Sequence, residues 1–531
     1  MRSPILAAVT SSALASLLVT ATPALAATCD ELARLTVKDG AIQSARLVPA
    51  GPFTPPGSSS GRSLGDLPPF CRVEGTLTPT VVSTIRFEVW LPASGWNGRL
   101  QVVGNGGLAG SISYGAMAEA LKDGFATAST DTGHTTAEPA SWLENRERLI
   151  DYSSRGLHLT TVEAKAVVNA FYAKLPEFSY FTGCSNGGKQ GLMEAQRYPE
   201  DFDGILAGHA ANYWTHQMAS EVWNGQVTSS PETNLPKEAL QLVQDAAVAA
   251  CDLVDGAKDG LVGDASRCTF DPGVLQCRGG ATAGCLTPAQ VEAVRGVYRG
   301  PTSRSGKTLY PGLYPSGEMG WASGVVINRQ DTSGVSSHDF WRYAFFHDPG
   351  WKFRTFDVDR DLPEAVSSLA PITDAVNPDL SAFKRLGHKL VYYHGDADPL
   401  IPAKNGVNYY ESVVAAQKGL APTQTFFRAY MVPGLYHCSG GPGPTAFGTA
   451  GKAPEGQRDA DHDIFKALQR WVEQGQAPSR IIATKYVDGD AAKGVALQRP
   501  LCTYPEVAMY SGSGDMNDAA NFACRAPAPR R

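Results

Sequence analysis

Charge is scarce in this 531-residue sequence, since only 18% of the residues are Asp, Glu, Lys or Arg and the net charge is −6. The basic residues form no block of the kind that binds nucleic acid or an anionic membrane. Internal repeats and low-complexity tracts are also missing. The composition therefore argues against nucleic-acid and membrane partners, and its 55 glycines and 36 prolines indicate a loop-rich globular protein.

Long apolar runs are missing as well, except near the N-terminus. There Arg2 precedes a mostly apolar stretch at residues 5–20, and the Ala-Leu-Ala triplet at residues 24–26 matches a cleavage site. The stretch is too short and too rich in serine for a good membrane span. We therefore predict that residues 1–26 are a signal peptide and that the mature protein is secreted or periplasmic.

The C-x-x-C spacing typical of zinc sites is absent, although the chain has ten cysteines, all of them after residue 26. An even number of cysteines in an oxidising compartment predicts five disulfide bonds. Proximity in the sequence suggests three of the pairs: Cys251 with Cys268, Cys277 with Cys285, and Cys502 with Cys524.

Short apolar segments alternate with helical patterns before residue 210 and again after residue 389. This alternation predicts an α/β fold with a largely parallel sheet covered by helices on both faces. Residues 214–374 break the rhythm, so we predict a lid there and a main domain built from residues 27–213 and 375–531. The predicted strands are residues 86–91, 100–103, 125–129, 179–182, 204–207, 390–393 and 424–432, and the predicted helices are residues 156–174, 188–198, 404–416 and 461–474.

The residues Gly183-Cys184-Ser185-Asn186-Gly187 match the G-x-S-x-G pattern of a nucleophile elbow. A strand-like run precedes the motif and a helix-like run follows it, which is the context that the motif requires. The turn is so tight that small residues must flank the serine, and the hydroxyl group projects above the sheet. The N–H groups at the start of the helix stabilise developing negative charge. Ser185 is therefore the predicted nucleophile.

A serine nucleophile needs a base and an acid that orients the base, and in this architecture they follow in the order Ser, Asp, His. Asp396 and Asp398 both follow the predicted strand at residues 390–393, and Asp398, which precedes a proline in the turn, is the preferred acid. His437 lies in a glycine-rich loop after the next predicted strand and is the predicted base. Active sites assemble from loops at this end of parallel strands.

Three further histidines compete with His437. His394 ends a predicted strand, and we interpret it as a structural residue that is hydrogen-bonded there. His209 and His216 are candidates to line the cleft, but they belong to no motif.

Cys184 precedes the predicted nucleophile and Cys438 follows the predicted base. If Ser185 and His437 meet, these two sulfur atoms must also lie close together. In an oxidising compartment this double adjacency predicts a disulfide bond that holds the two catalytic loops together.

An oxyanion hole for this chemistry needs two backbone N–H groups. One is predicted to come from Asn186, directly after the nucleophile. The other is predicted from the glycine-rich loop at residues 104–110, where Gly107 is the preferred donor. This loop lacks the residues and spacing of a nucleotide-binding loop, and no organic cofactor is predicted.

Residues 251–264 contain four aspartates with glycines between them. Hard oxygen ligands on a tight loop suit calcium, and clustered carboxylates without a cation repel one another. The spacing differs from that of an EF-hand, and the alternative is a solvated acidic turn. We predict a structural calcium ion in the lid, held by the carboxylates of Asp252, Asp255 and Asp259 and by the carbonyl groups of Ala257 and Leu261.

Three motifs together resemble those of the tannase and feruloyl esterase family: residues 183–188, residues 394–402 and residues 437–442. The resemblance extends over residues 29–524. It implies an α/β-hydrolase core with a lid, and a disulfide bond between Cys29 and Cys71. It also implies hydrolysis of small esters of hydroxycinnamic or hydroxybenzoic acids, such as those attached to plant polysaccharide or tannin.

The substrate stays open between such esters and monoesters of terephthalate or phthalate. In a bacterial relative that hydrolyses a terephthalate monoester, an Arg-x-x-x-Phe-Ser pattern in the lid holds the free carboxylate, and this pattern is missing here. Arg342 is the lid cation nearest to an aromatic stretch. That stretch is expected to stack on a phenolic ring through Phe340, Trp341, Tyr343, Phe345 and Phe346. A non-catalytic carbohydrate-binding protein is the alternative from another class.

Overall fold

The structure is a computed structural model that describes residues 1, 26–56, 61, 63–280, 283–323, 335–449 and 456–527. The predicted signal peptide lies outside the described residues except at its two ends. No helix within the described ranges is both long enough and apolar enough to cross a bilayer.

Nine strands form one sheet in the described chain. In chain order they are β1 (Gly40–Val48), β2 (Phe70–Leu77), β3 (Ile85–Pro92), β4 (Arg99–Val103), β5 (Ala126–Thr130), β6 (Phe178–Cys184), β7 (Gly204–Gly208), β8 (Lys389–Gly395) and β9 (Phe427–Val432). Their spatial order is β1-β2-β3-β5-β4-β6-β7-β8-β9. The pairs from β1 to β5 are antiparallel, and the neighbours from β5 to β9 run parallel. The fold is therefore α/β with a mostly parallel sheet, as predicted.

Helices cover both faces of this sheet. Those of nine or more residues are α1 (Tyr114–Lys122), α2 (Gly156–Tyr172), α3 (Asn186–Arg197), α4 (Trp214–Thr228), α5 (Lys237–Cys251), α6 (Pro288–Arg299), α7 (Val358–Ser368), α8 (Ala403–Ala416) and α9 (Ile464–Gln474). Alternate strand residues point to opposite faces. Phe181 and Ile205 therefore pack in one apolar cluster with α2 and α3, while Tyr180 and Leu206 pack in another with α9.

Shorter helical segments connect these elements. The short α-helices are Arg146–Ile150, Ser336–Asp339, Ala370–Thr373, Ser381–Arg385 and Leu420–Gln424, and π-helical turns span Asp151–Arg155 and Phe340–Phe345. Two antiparallel hairpins follow α9, namely β10 (Arg480–Tyr486) with β11 (Val495–Cys502) and β12 (Val507–Tyr510) with β13 (Phe522–Arg525).

Every predicted strand and helix is present, and no end differs by more than three residues. Two starts differ by three residues, those of β9 and α9. β9 begins at Phe427 because residues Leu420–Gln424 form a helix with Pro422 in its first turn, where proline is tolerated. The sequence did not predict β1, β2 or α1. Most residues of β1 are at least partly exposed, so this edge strand carries little apolar pattern.

Residues 209–388 lie between β7 and β8 and, where described, add helices but no strand to the sheet. Part of this insertion packs around Val243 and Val294 in an apolar cluster of its own. A second cluster contains Trp214 and Trp341 and includes residues from the main domain. The insertion is therefore a helical layer, and the division into a lid at residues 214–374 and a separate main domain stays a prediction.

Five disulfide bonds are present, and no described cysteine is free. They are the same pairs that sequence proximity, double adjacency and the family resemblance predicted: Cys29–Cys71, Cys184–Cys438, Cys251–Cys268, Cys277–Cys285 and Cys502–Cys524.

Candidate active site

Ser185 occupies a sharp turn between β6 and α3. Its backbone angles are φ 66° and ψ −121°, in the left-handed region that few residues other than glycine adopt. A Cβ atom on Gly188 would lie 2.1 Å from the carbonyl oxygen of Gly208, and one on Gly183 would lie 2.6 Å from the backbone of Gly187. The glycines are therefore required by close packing, and the strained turn exposes Ser185 to a cavity.

The acid of the site follows β8. Asp398 is buried, and its Oδ2 accepts hydrogen bonds from His437 Nδ1 at 2.9 Å and from His209 Nδ1 at 2.7 Å. Nε2 of His394 lies 3.2 Å from the same oxygen. Oδ1 accepts two backbone N–H groups of the following loop at 2.8 and 3.0 Å. Burial alone raises the pKa of Asp398, but His437 and the other two imidazoles hold it well below its usual value.

His437 lies in the loop after β9 and lines the same cavity as Ser185. Because Nδ1 faces Asp398, Nε2 is the nitrogen that is free to act on the Ser185 hydroxyl. Burial lowers the pKa of His437, but the negative charges of Asp398 and Glu221 outweigh it and leave the pKa above its ordinary value. The same interactions stabilise the protonated imidazole that forms when the base takes up a proton.

Asp396 lies two residues before Asp398 but does not contact His437. Burial and the nearby carboxylate of Asp264 raise its pKa well above the usual value. The structure therefore brings Asp398, and not Asp396, to the predicted base, in agreement with the preferred acid.

The other histidines have distinct surroundings. His394 Nδ1 accepts the Tyr392 hydroxyl at 2.5 Å, and its Nε2 donates to the Ile401 carbonyl at 3.0 Å, so it is the hydrogen-bonded residue expected at a strand end. His216 is not among the cavity-lining residues. The sequence named His209 as a candidate to line the cleft, but it is not among the cavity-lining residues either. Its hydrogen bond to Asp398 was missed, because no motif marks it and only the pairing of β7 with β8 brings the two residues together.

The Cys184–Cys438 bond joins the two loops that carry Ser185 and His437. Its Cα atoms are 6.1 Å apart, although 254 residues separate the two cysteines. The predicted nucleophile and the predicted base, each adjacent to one of these cysteines, are thus linked covalently, independently of the packing around them.

The predicted oxyanion residues flank the nucleophile. Gly107 lines the cavity with Ser185 and has φ 55°, while Asn186 is the buried first residue of α3. The hydroxyl group of Tyr152 lies 2.9 Å from the Gly107 carbonyl oxygen and 3.1 Å from Asn186 Oδ1. Tyr152 therefore connects the two segments whose N–H groups are the candidate donors.

The cavity above Ser185 has a volume of about 530 Å³. The insertion supplies one wall, in which Trp214 and Met218 are apolar while Gln217 and Glu221 are polar. Among the lining residues that the structure describes, none is Lys or Arg. The described walls are therefore mainly apolar with one carboxylate, which suits a flat, uncharged acyl group better than an anionic one.

The expected role of the aromatic lid stretch is wrong. None of its five aromatic residues lines the cavity, because Phe340 and Trp341 are buried inside the insertion, where Trp341 packs against Phe345 and Phe356. Large aromatic side chains gain most from such burial. Arg342 also stays outside the cavity lining and lies 3.4 Å from the Asp339 carboxylate.

The aspartate side chains of the acidic loop are buried, and only one of the three predicted ligands has a cationic partner among the described residues. Arg499 in β11 forms an ion pair with Asp259, whereas Asp252 and Asp255 accept backbone N–H groups and form no ion pair among the described residues. Burial raises the pKa of Asp255 to about 6, with a further contribution from Asp259. The predicted carbonyl donors, Ala257 and Leu261, are buried beside these aspartates.

This donor set fits calcium in its chemistry: hard oxygen atoms, burial and excess negative charge. The three carboxylates do not bring three ligand atoms within 4.8 Å of one another. An ion would therefore have to draw the loop together.

A mostly parallel sheet with a serine elbow after β6, an aspartate after β8 and a histidine after β9 defines an α/β-hydrolase. The sequence matches the model of the "Tannase and feruloyl esterase" family over residues 71–525. The chain belongs to this family and is a carboxylic ester hydrolase of the feruloyl esterase and tannase type.

Similar proteins cover nearly the whole chain. An uncharacterized esterase of Xanthomonas campestris is 38% identical over 97% of this chain and 94% of its own length. A probable feruloyl esterase B-2 of Aspergillus terreus is 33% identical over 86% of each chain. The crystal structure of feruloyl esterase B from Aspergillus oryzae matches with a TM-score of 0.87 and 30% identity, over 94% of this chain and 99% of that one.

Proposed function

We propose that the protein is a secreted serine esterase that hydrolyses esters of hydroxycinnamic or hydroxybenzoic acids through an acyl-enzyme. The observation that carries the proposal is the joint position of Ser185 and His437 on one cavity, with His437 Nδ1 bonded to Asp398. Relatives named feruloyl esterases support the aromatic acyl group.

The reaction has two halves. Nε2 of His437 takes the proton of the Ser185 hydroxyl as Oγ attacks the ester carbonyl, and the N–H groups of Gly107 and Asn186 stabilise the oxyanion. The carbon–oxygen bond to the alcohol then breaks, and His437 protonates the departing alcohol. Water, deprotonated by His437, attacks the acyl ester on Ser185. The bond between the acyl carbon and Oγ then breaks, His437 returns the proton to Oγ, and the acid is released.

Two features support the esterase over the alternatives. The described cavity wall offers Glu221 and no cation, which disfavours the carboxylate of a terephthalate or phthalate monoester. Asp398 and His437 are hydrogen-bonded in the orientation that ester hydrolysis needs. A non-catalytic carbohydrate-binding protein would not require this arrangement.

Secretion and calcium belong to the same proposal. Ten cysteines in five disulfide bonds suit an oxidising compartment outside the cytoplasm, as the predicted signal peptide requires. Structural calcium would be held by Asp252, Asp255 and Asp259 with the carbonyls of Ala257 and Leu261. The ion would neutralise the buried carboxylates and would leave the ester bond to the residues of the cavity.

Kinetics with methyl ferulate, methyl gallate, chlorogenate and a terephthalate monoester test the function. We expect Ser185→Ala to lower kcat by at least about a thousandfold on every accepted ester while the melting temperature is kept. Ser368→Ala, on the exposed end of α7, is the matched control. Unchanged turnover in Ser185→Ala, or a terephthalate monoester hydrolysed better than both methyl ferulate and methyl gallate, would contradict the proposal.

A further inference from the structure

Glu221 is a carboxylate in the candidate active site that the reaction above does not use. It lies on α4, where Trp214, Gln217, Met218 and Glu221 follow the spacing of one helix face, and all four line the cavity. Seven residues separate the first from the last, so Glu221 lies about 10 Å along the helix from Trp214. The cavity therefore has an aromatic end and a carboxylate end on the same wall.

The aromatic end lies beside the proposed oxyanion hole. The rings of Trp214 and Tyr152 have centroids 5.7 Å apart, and the Tyr152 hydroxyl contacts the Gly107 carbonyl at 2.9 Å. An aromatic acyl group that has its carbonyl at Ser185 and its ring along α4 points its far edge towards Glu221. The carboxylate is thus placed where the ring substituents of such a group arrive.

The partners of Glu221 are neutral donors. Nε2 of Gln217 donates to its Oε1 at 3.1 Å and also to the Leu400 carbonyl at 2.7 Å, and the Ser337 hydroxyl is a further donor to the carboxylate. A carboxylate has about four acceptor positions, so two donors leave capacity for a third. Gln217 and Ser337 therefore hold Glu221 in place and leave it able to accept a donor from the cavity.

The charge around Glu221 indicates which substrate group can donate a hydrogen bond to it. Burial raises the pKa of Glu221 above its ordinary value, although the hydrogen bonds from Gln217 and Ser337 and the nearby His437 act in the opposite direction. The described lining offers no Lys or Arg that would accept an anionic ring substituent. A second carboxylate here would face Glu221 without a counter-ion, whereas a hydroxyl group would donate to it.

We propose that the Glu221 carboxylate accepts a hydrogen bond from a phenolic hydroxyl of the acyl ring. It thereby selects esters whose ring carries a free hydroxyl over esters that have a methoxy or carboxylate group in its place. This proposal rests on the esterase function proposed above. Glu221 is a specificity residue in this account, because it contacts the substrate at a distance from the reacting carbonyl.

The test compares kcat/KM for methyl ferulate with that for methyl 3,4-dimethoxycinnamate, which lacks the hydroxyl donor. We expect the wild-type protein to prefer methyl ferulate by at least about tenfold, the effect of one hydrogen bond to a charged group. Glu221→Met should reduce this ratio to about two or less, and Glu221→Gln, which keeps an acceptor, should retain part of it. Both variants should also hydrolyse terephthalate monomethyl ester better than wild type.

Turnover of p-nitrophenyl acetate, whose acyl group carries no ring, shows whether the reaction centre is intact. Because Glu221 also raises the pKa of His437, this turnover is measured in each variant at a pH above that pKa, and it is the reference with which the ester ratios are compared. Glu238→Met, an exposed position on α5, is the matched control and should keep every ratio.

An unchanged preference for methyl ferulate in Glu221→Met, with p-nitrophenyl acetate turnover intact, would overturn the inference. A wild-type preference below about twofold would overturn it as well. If Glu221→Met is unstable, Glu221→Gln provides the test, with kcat/KM for terephthalate monomethyl ester as the measurement. A value no higher than that of the wild type would then contradict the inference. Failure of the esterase proposal is separate, since it appears as undiminished turnover in Ser185→Ala.

Discussion

Asp398 and the aspartates of the acidic loop are both buried, yet their surroundings balance the charge in different ways. Asp398 meets three imidazoles and two backbone N–H groups, and its pKa is well below the usual value. In the loop, Arg499 pairs with Asp259 while Asp255 has its pKa raised to about 6. The comparison shows that the fold itself supplies hydrogen-bond donors for the charge of Asp398, whereas it supplies one cation, Arg499, to the aspartates of the loop.

The largest expected effect comes from removing the charge of Asp398, and an unchanged kcat would contradict the comparison. Asp398→Asn should lower kcat by roughly a thousandfold, since His437 loses the partner that orients it and stabilises its charged form. Asp396→Asn is the matched control in the same loop and should cost less than about tenfold, because Asp398, and not Asp396, is hydrogen-bonded to His437. Steady-state kinetics on methyl ferulate provide the measurement. A greater loss in Asp396→Asn would reverse the assignment of the acid.

The second test removes one of the donors that balance Asp398. His209→Phe should lower kcat by roughly ten- to hundredfold with little change in KM, since one hydrogen bond to a charged group is lost. His209→Gln should recover part of the rate because its amide can donate. His388→Gln removes a histidine outside the candidate site and serves as control. A lower melting temperature with unchanged kcat would mean that His209 is only structural.

Chelation tests the other side of the comparison. Removal of calcium should lower the melting temperature at pH 7 by roughly 3–5 °C, because a ligand that binds only the folded state stabilises it. The chelator effect should shrink at pH 5, where protons compete for the carboxylates. Asp255→Asn should abolish it, while Asp245→Asn, before the loop, should not. A chelator-insensitive melting curve with no calcium in elemental analysis would leave a solvated acidic turn.

The smallest expected effect concerns pH. The pKa of His437 is raised, and the base must be neutral to act, so kcat/KM should fall as pH drops through an apparent pKa above 6.5. Asp398 and Glu221 both stabilise the protonated imidazole. Glu221→Gln should therefore shift the acid limb to lower pH by a fraction of a pH unit. A shift to higher pH would show that Glu221 does not act on His437 through its charge.

Local signals explain how much of the site was predictable. The elbow is encoded within a few residues, because the turn around Ser185 tolerates only small neighbours. Asp398 and His437 follow strands whose apolar pattern marks their ends. The same local reasoning predicted the alternation of strands and helices along the main domain and its largely parallel sheet.

Long-range packing explains what was missed. His209 reaches Asp398 only because β7 pairs with β8, and Arg499 meets Asp259 although 240 residues separate them. The place of Glu221 depends on how the insertion docks above the sheet. The predicted stacking of the aromatic stretch on the substrate ring was wrong because aromatic residues in a lid can pack inside it as well as contact a substrate. Trp341 is buried in this way.

The central claim is that Ser185 carries the acyl group during turnover. Rapid acid quenching of a reaction with methyl ferulate, followed by peptide mapping, tests it most directly. The account predicts one feruloyl group on the peptide that contains Ser185, formed before steady state and absent from Ser185→Ala. Turnover without any acylated peptide, or acylation at another residue that survives in Ser185→Ala, would contradict it.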